Sequence, residues 1–257
     1  MPKPEAPPRT PADFAAFLAT AKPVLVVGGQ AVNLWALYYK DRTTDLAPFV
    51  SRDADVLGDR ETLAEIGRVI GVKPQFFPLR PPTNEIGVVV ARDVEGHPLM
   101  VEVLRSVHGA TNAELREPAY TLTVGEKPVA IQVPGPIALL KAKIANVAGL
   151  HQEGRQDGRH VVILARLMPA YLHELQTITL AGQLAERRLL DYLENLLAVV
   201  AAPSARKIFA QLKLDPIKLF DELDGAKLPK VKLFLRERLP RRFPSGHRSP
   251  KPARKRS

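Results

Sequence analysis

Apolar positions along the chain change their period part-way, and that change predicts the elements. Near the start, Thr10-Pro11 followed by Asp13, Phe14, Phe17 and Leu18 predicts a short helix with a capping residue and a proline in its first turn. Val24 to Val27 is a β-branched run ending at Gly28-Gly29, the pattern of a strand entering a turn. From Gln30 to Tyr39 the apolar residues Ala31, Leu34, Trp35 and Tyr38 fall at helical spacing. Phe49 to Leu57 alternates: Val50, Arg52, Ala54 and Val56 fall on one strand face, Ser51, Asp53 and Asp55 on the other. Arg60 to Ile70 reads as an amphipathic helix through Leu63, Ile66 and Ile70. Glu85 to Ala91 and Leu99 to Leu104 are predicted strands joined at Gly96-His97, and Thr121 to Val124 and Val129 to Val133 a hairpin around Gly125-Glu126.

After Pro136 the spacing is helical. Ile137 to Val147 repeats through Leu139, Leu140, Ile144 and Val147, with Gly149 to end it. Val161 to Leu175 and Leu180 to Val200 continue in the same style, Pro203-Ser204 opens another helix, and Leu219 and Leu223 fall in the next. No repeat at solenoid periods occurs. The expected organisation is α+β: a disordered leader over 1–12, a mixed β-sheet domain with flanking helices over 13–134, a helical domain over 135–240, and a disordered basic tail over 241–257.

Composition changes this picture in three places. The chain has no cysteine, which excludes disulfides, thiolate zinc sites and cysteine nucleophiles and leaves carboxylates, carbonyls and imidazoles as metal ligands. No apolar run is long enough to span a bilayer and no secretory signal opens the sequence, so a cytoplasmic protein without a membrane partner is expected. The net charge is +10, but Arg241, Arg242, Arg248, Lys251, Arg254, Lys255 and Arg256 carry seven of those charges with no acid among them, leaving +3 on the first 240 residues. Such a tail can meet RNA or DNA phosphates without reading sequence, or can be a solvated extension.

Chemistry is concentrated around Asp53, Asp55 and Glu102. Asp53 and Asp55 leave one strand face, roughly 6–7 Å apart at their attachment points. In LMVEVL, Glu102 lies on the face opposite Val101 and Val103. If the two strands are neighbours, three carboxylates meet and need a hard cation to offset their repulsion. Alternating acids are also what a strand's solvent face shows, and Gly28-Gly29 is also what a tight turn needs. Glycines between a strand and a helix can bring backbone N–H groups and a helix N-terminus up to a phosphate.

Taken together, VVGGQAVNLW, SRDADVLG and VEVL resemble the glycine-pair motif, the Ser/Thr-x-Asp-x-Asp strand and the third-carboxylate strand of the polymerase-beta-like nucleotidyltransferase superfamily. The nearest branch is that of abortive-infection and toxin–antitoxin nucleotidyltransferases, in which a lysine-bearing helix precedes an Arg/Lys-Asp element. IALLKAKIANV supplies Lys141 and Lys143 here, and GRQDGRHVVIL supplies Arg155 and Asp157. The likeness covers about residues 22 to 167. It implies a nucleotidyltransferase domain moving a nucleoside monophosphate from an NTP to a hydroxyl of RNA, protein or a small molecule, with Mg2+ or Mn2+ as cofactor. Asp53, Asp55 and Glu102 would be the catalytic and metal-binding residues. Gly28, Gly29, Ser51, Lys141 and Lys143 would bind nucleotide, and a cognate antitoxin would be a conceivable partner. Two departures stand out: Glu102 replaces the usual Asp, and His160 stands where another acid is often found. The alternative is a catalytically inactive protein of this fold that contacts nucleic acid or a partner protein through its basic tail.

Other residues read more plainly. Lys141 and Lys143 are two apart on a helix and face different directions, so at most one points at a triphosphate. The six histidines show no zinc spacing and read as surface or packing residues. Trp35 and Tyr38 read as core rather than as a base-stacking platform. Arg42-Thr43-Thr44-Asp45 shares a Thr-Asp pair with the motif but lacks the second acid, and reads as a loop near the site.

Overall fold

The computed structural model describes residues 7–78, 80, 83–93 and 95–243. Residues 1–6 of the expected leader and 244–257 of the expected tail lie outside them. The chain is mixed α/β: among the described residues the strands form one seven-stranded sheet, with helices packed on it and a helical stretch following it. The strands are β1 (Leu25–Val27), β2 (Asp53–Leu57), β3 (Gln75–Phe76), β4 (Glu85–Arg92), β5 (Pro98–Leu104), β6 (Ala119–Val124) and β7 (Val129–Pro134). Their order is β3-β4-β5-β2-β1-β7-β6. β2 pairs in parallel with β5 and β1 with β7, while the remaining neighbours are antiparallel.

Helices are α1 (Gly28–Tyr38), α2 (Lys40–Thr43), α3 (Arg60–Ile70), α4 (Asn112–Arg116), α5 (Pro136–Gly149), α6 (Asp157–Leu180), α7 (Glu186–Ala201), α8 (Pro203–Gln211), α9 (Pro229–Leu233) and α10 (Leu239–Arg242). Pro11–Leu18, the short helix expected there, is a 3-10 helix. The start of α3 shows why the sequence sets its boundary. Asp59 accepts from the Thr62 amide at 2.8 Å while the Asp59 amide donates to the Thr62 hydroxyl at 3.3 Å, and Gly71 in the left-handed region (φ 73°) ends the helix.

Register assigns the two sheet faces. Val26, Ala54, Val56, Val89, Val101, Val103, Ile131 and Val133 are buried in the main core, which continues without a break into α5, α6 and α7 through Leu140, Leu164 and Leu193. The other face carries two small apolar patches, one around Leu25, Val27 and Leu57 and one around Val88 and Met100. Between those patches lie the acids.

Four local expectations shift. β2 begins at Asp53 rather than Phe49, because Ser51 exchanges backbone hydrogen bonds with Arg9 (2.8 and 2.9 Å) instead of continuing the ladder. α6 runs from Asp157 through Leu180, so Leu180 closes this helix rather than opening the next. The break falls at Gly182, whose positive φ (76°) makes the turn. Leu223 lies beyond the 3-10 turn Pro216–Phe220 that holds Leu219. The Arg42–Asp45 segment is helical, in α2 and a following 3-10 turn, and Asp45 pairs with Arg166 at 3.1 Å.

Candidate functional site

β1 delivers the chain directly into α1 at Gly28, where φ is +67°. A side chain at this position would meet strain from the backbone and collision from outside. A Cβ there would overlap the Asp55 carboxylate, with Asp55 Cγ only 2.8 Å away. The carboxylate occupies the space that glycine leaves open. At Gly29 the same position would lie 2.9 Å from Ser51 Oγ and 3.3 Å from His160 Cε1. The glycine pair is therefore the floor of a small assembly at the N-terminus of an 11-residue helix, walled by Asp55, Ser51 and His160.

Ser51 links the floor to the next acid, donating its hydroxyl to Asp53 Oδ1 at 3.3 Å. Asp53 and Asp55 are half-buried on β2, and Asp55 stands in register with Glu102 on the parallel neighbour β5. Register partners point to the same side of a sheet, so the three carboxylates share one face on adjacent strands. Glu102 is only 3% exposed. Gly28, Gly29, Ser51, Asp53, Asp55 and Glu102, read separately from the sequence, are thus brought to one place.

The two lysines part company. Lys141 leaves α5 toward α4 and pairs with Glu114 at 2.6 Å. Lys143 is buried and pairs with Asp157 at 2.8 Å. Asp157 also accepts from Arg155 at 2.6 Å and from Asn146 at 3.2 Å. Burial pushes the Asp157 carboxyl up, but the Lys143 charge and these hydrogen bonds outweigh it and hold the pKa at about 2. The Arg155-Asp157 element of the sequence is therefore an ion-pair cluster at the start of α6, in which Asp157 and Lys143 are buried and Arg155 reaches in from the surface.

His160, one turn into α6, is the residue that sequence reasoning missed. It is 4% exposed, and neither ring nitrogen has a hydrogen-bond partner among the described residues. Burial first, and then the positive charge of Lys143, push its pKa down to about 3, so the ring is neutral at pH 7. The available signal was its replacement of an acid in the Arg-Gln-Asp-x-x-His run. An acid so close to Asp157 would repel it, whereas a neutral imidazole does not.

The donor set bears on which cation would fit. Three carboxylates are all hard oxygen ligands, suited to magnesium or manganese rather than to softer metals. Neighbouring strands lie roughly 4.8 Å apart, and Asp53 to Asp55 roughly 6–7 Å, so convergence needs side-chain rotation and no backbone movement. Asp55 leans onto Gly28 in the arrangement seen. Among the described residues the one group of three His/Asp/Glu side chains with ligand atoms within 4.8 Å of one another is elsewhere, at Asp93, Glu95 and His97. That group is the β4–β5 turn. Asp93 accepts from the Glu95 and His97 amides at 2.9 and 2.8 Å and pairs with Arg9, so its carboxylate is already committed to holding the turn.

No protein-family description matches the chain, and no curated protein matches it. Among solved structures it is similar to an antigenic nucleotidyltransferase-like protein from Paracoccidioides brasiliensis, at 16% identity and a TM-score of 0.39, over 63% of this chain and 79% of that one. Among the described residues no helix is long and apolar enough to cross a membrane.

Proposed function

We propose that this protein transfers a nucleoside monophosphate from an NTP to a hydroxyl acceptor. The observation that carries the reading is the packing of the Asp55 carboxylate on Gly28. It joins a glycine turn at a helix N-terminus to an acidic sheet face that also holds Asp53 and Glu102.

In this reading the backbone N–H groups of Gly28 and Gly29, at the positive end of α1, hold the departing pyrophosphate. The Ser51 hydroxyl orients Asp53 and can turn to a phosphate oxygen. Asp53, Asp55 and Glu102 would hold magnesium or manganese, which when bound supplies charge neutralisation for in-line displacement at the α-phosphorus. Glu102 favours departure of the proton from the attacking hydroxyl. The new bond joins the acceptor oxygen to the α-phosphorus as the bond to the bridging oxygen breaks, and pyrophosphate leaves. Lys143 is close enough to influence the His160 ring, and its charge is held by Asp157. Lys141 would have to leave Glu114 to touch a phosphate. The relation to the toxin–antitoxin branch remains a likeness in Gly28-Gly29, Asp53-x-Asp55 and the Lys143-Asp157 element.

Each labelled NTP, incubated with magnesium and RNA, protein or small hydroxyl acceptors, should give label transfer by the wild type and at least a hundredfold less by Asp53→Ala (about 3 kcal/mol of lost transition-state stabilisation). NTP plus magnesium should raise Tm, and Asp55→Asn should remove that rise. Equal silence of wild type and Asp53→Ala with every acceptor, together with no rise in Tm, would refute the reading.

A further inference from the structure

The far end of α1 helps to line a cavity. Two turns along the helix from Gly28, roughly 10 Å of axial rise, Trp35 begins a cluster with Tyr38, Tyr39, Tyr120 and Tyr171. Tyr39 stacks on the indole at 13° and 5.9 Å, while the other three rings meet it edge-on at 5.1–5.9 Å. Together with Glu174 they line a cavity of about 170 Å³ between α1, α6 and the edge strand β6. Tyr38, expected in the core, is 52% exposed here, whereas Trp35 is 2% exposed.

The chemistry of the lining narrows the ligand. Among the described residues no Lys, Arg or His lines the cavity, so a phosphate or carboxylate finds no counter-charge there. The polar ends of the rings are already engaged. Tyr38 and Tyr39 donate to Glu174 at 3.1 and 2.6 Å, the Tyr120 and Tyr171 hydroxyls bond each other at 2.7 Å, and Trp35 Nε1 donates to the Pro134 carbonyl at 2.8 Å. Except at the Thr121 hydroxyl, a neutral polar ligand would therefore compete with bonds already made. What the cavity still offers is aromatic surface, negative over the ring faces, the aliphatic side chains of Leu122, Leu175 and Ile178, and the negative charge of Glu174, which accepts from two tyrosines and has no ion pair among the described residues. The volume is below the roughly 300 Å³ at which drug-sized pockets begin, so it accommodates a headgroup and not a nucleotide.

We infer that this aromatic cavity binds an organic ammonium group with an apolar shell, of the trimethylammonium type, with Glu174 as its counter-ion. The site is separate from the glycine turn and does not depend on the transfer reaction proposed there. The ammonium has two sources of the same chemistry: a free small molecule such as choline, or a trimethylated lysine side chain of a protein.

Trp35, the chain's single tryptophan, sits in the cavity and makes the test direct. The full-length protein is titrated with choline, with its uncharged isostere 3,3-dimethyl-1-butanol, and with an N-acetyl trimethyllysine amide, following tryptophan emission and saturation transfer to the N-methyl protons. Choline is expected to give a saturable change and the isostere to bind roughly tenfold more weakly, the difference being the cation's attraction to the rings and to Glu174. Glu174→Gln should weaken choline severalfold and leave the isostere unchanged. Tighter binding of the lysine derivative than of choline supports a protein-borne ligand; the reverse supports a free one. Absence of a saturable choline response in the wild type, or equal binding of choline and its isostere, overturns the proposal without needing any variant to fold.

Discussion

At Gly28 two separate demands fall on one α-carbon. Its φ of +67° costs an ordinary L-residue about 1–2 kcal/mol, and the Asp55 carboxylate fills the volume a methyl group would need. Gly71 supplies the comparison, with a φ of +73° and nothing within 4 Å of its missing Cβ. Gly71→Ala should therefore lose only the backbone term, about 1–2 kcal/mol in urea unfolding. Gly28→Ala should lose that amount and, by displacing Asp55, also abolish the rise in Tm given by NTP plus magnesium. Equal losses in both variants, with the nucleotide response intact, would mean that the contact with Asp55 is incidental. The sequence carried this residue only in part. It gave two glycines between a strand and a helix, and two acids on a strand face, but nothing local says that one acid lies on one glycine. That fact is set by the antiparallel register of β1 with β2, Val27 opposite Asp55, which pairs segments far apart in the chain.

Helix α5 shows how one element sorts two like residues. Its period of 3.6 turns Lys141 and Lys143 about 200° apart, so one reaches Glu114 at a partly exposed site and the other enters the interior beside Asp157. The energetic consequences differ accordingly. Removing one partner of a buried pair strands a charge, at about 3–5 kcal/mol, whereas an exposed pair is worth about 0–1 kcal/mol. Lys143→Met should fall near the lower end of the first range, since Arg155 and Asn146 still hold Asp157, and Lys141→Met should be close to neutral. Denaturant midpoints of the two variants decide the matter; a costly Lys141→Met with a silent Lys143→Met would contradict the assignment. Direction around the helix was legible from spacing, as were the bounds of α3 and the β4–β5 hairpin. The start of α6 was not. Asp157 opens it because of a tertiary partner on α5, and a run of Gln, Glu, Gly and Arg before it reads locally as loop.

For the molecule as a whole, the buried Asp157 carboxylate and the buried imidazole both favour the deprotonated form, one charged and one neutral, and so act in the same direction on stability. Asp157 is ionised down to about pH 2 when folded, against an ordinary carboxyl near 3.8, so its contribution is complete above 3.8 and is lost as pH falls toward 2. His160 resists protonation until about pH 3 when folded, against about 6.5 when unfolded. The unfolded chain thus binds a proton between pH 6.5 and 3 that the folded chain refuses, and stability must drop as pH falls through that window, by up to about 1.4 kcal/mol per pH unit. His160→Leu removes both the orphaned nitrogens and the slope. It should be near neutral or mildly stabilising at pH 7 and clearly more stable than wild type at pH 5, measured by urea unfolding at both values. Parallel pH profiles for the two proteins would show that the ring finds a partner in solution. Composition could not reveal this, because a histidine count says nothing of burial; only the packing of α6 against the glycine turn does.

The parallel pairing of β2 with β5 has a consequence for how the molecule matures. Glu102 can stand beside Asp55 only after the intervening helix and hairpin have been laid down, since a parallel neighbour cannot be reached by a tight turn. On the proposed reading, a chain halted before that point owns the aspartates without the glutamate and should hold a divalent ion more weakly than the finished fold. Divalent-ion affinity would then report whether the sheet has closed, because the third carboxylate arrives only with β5.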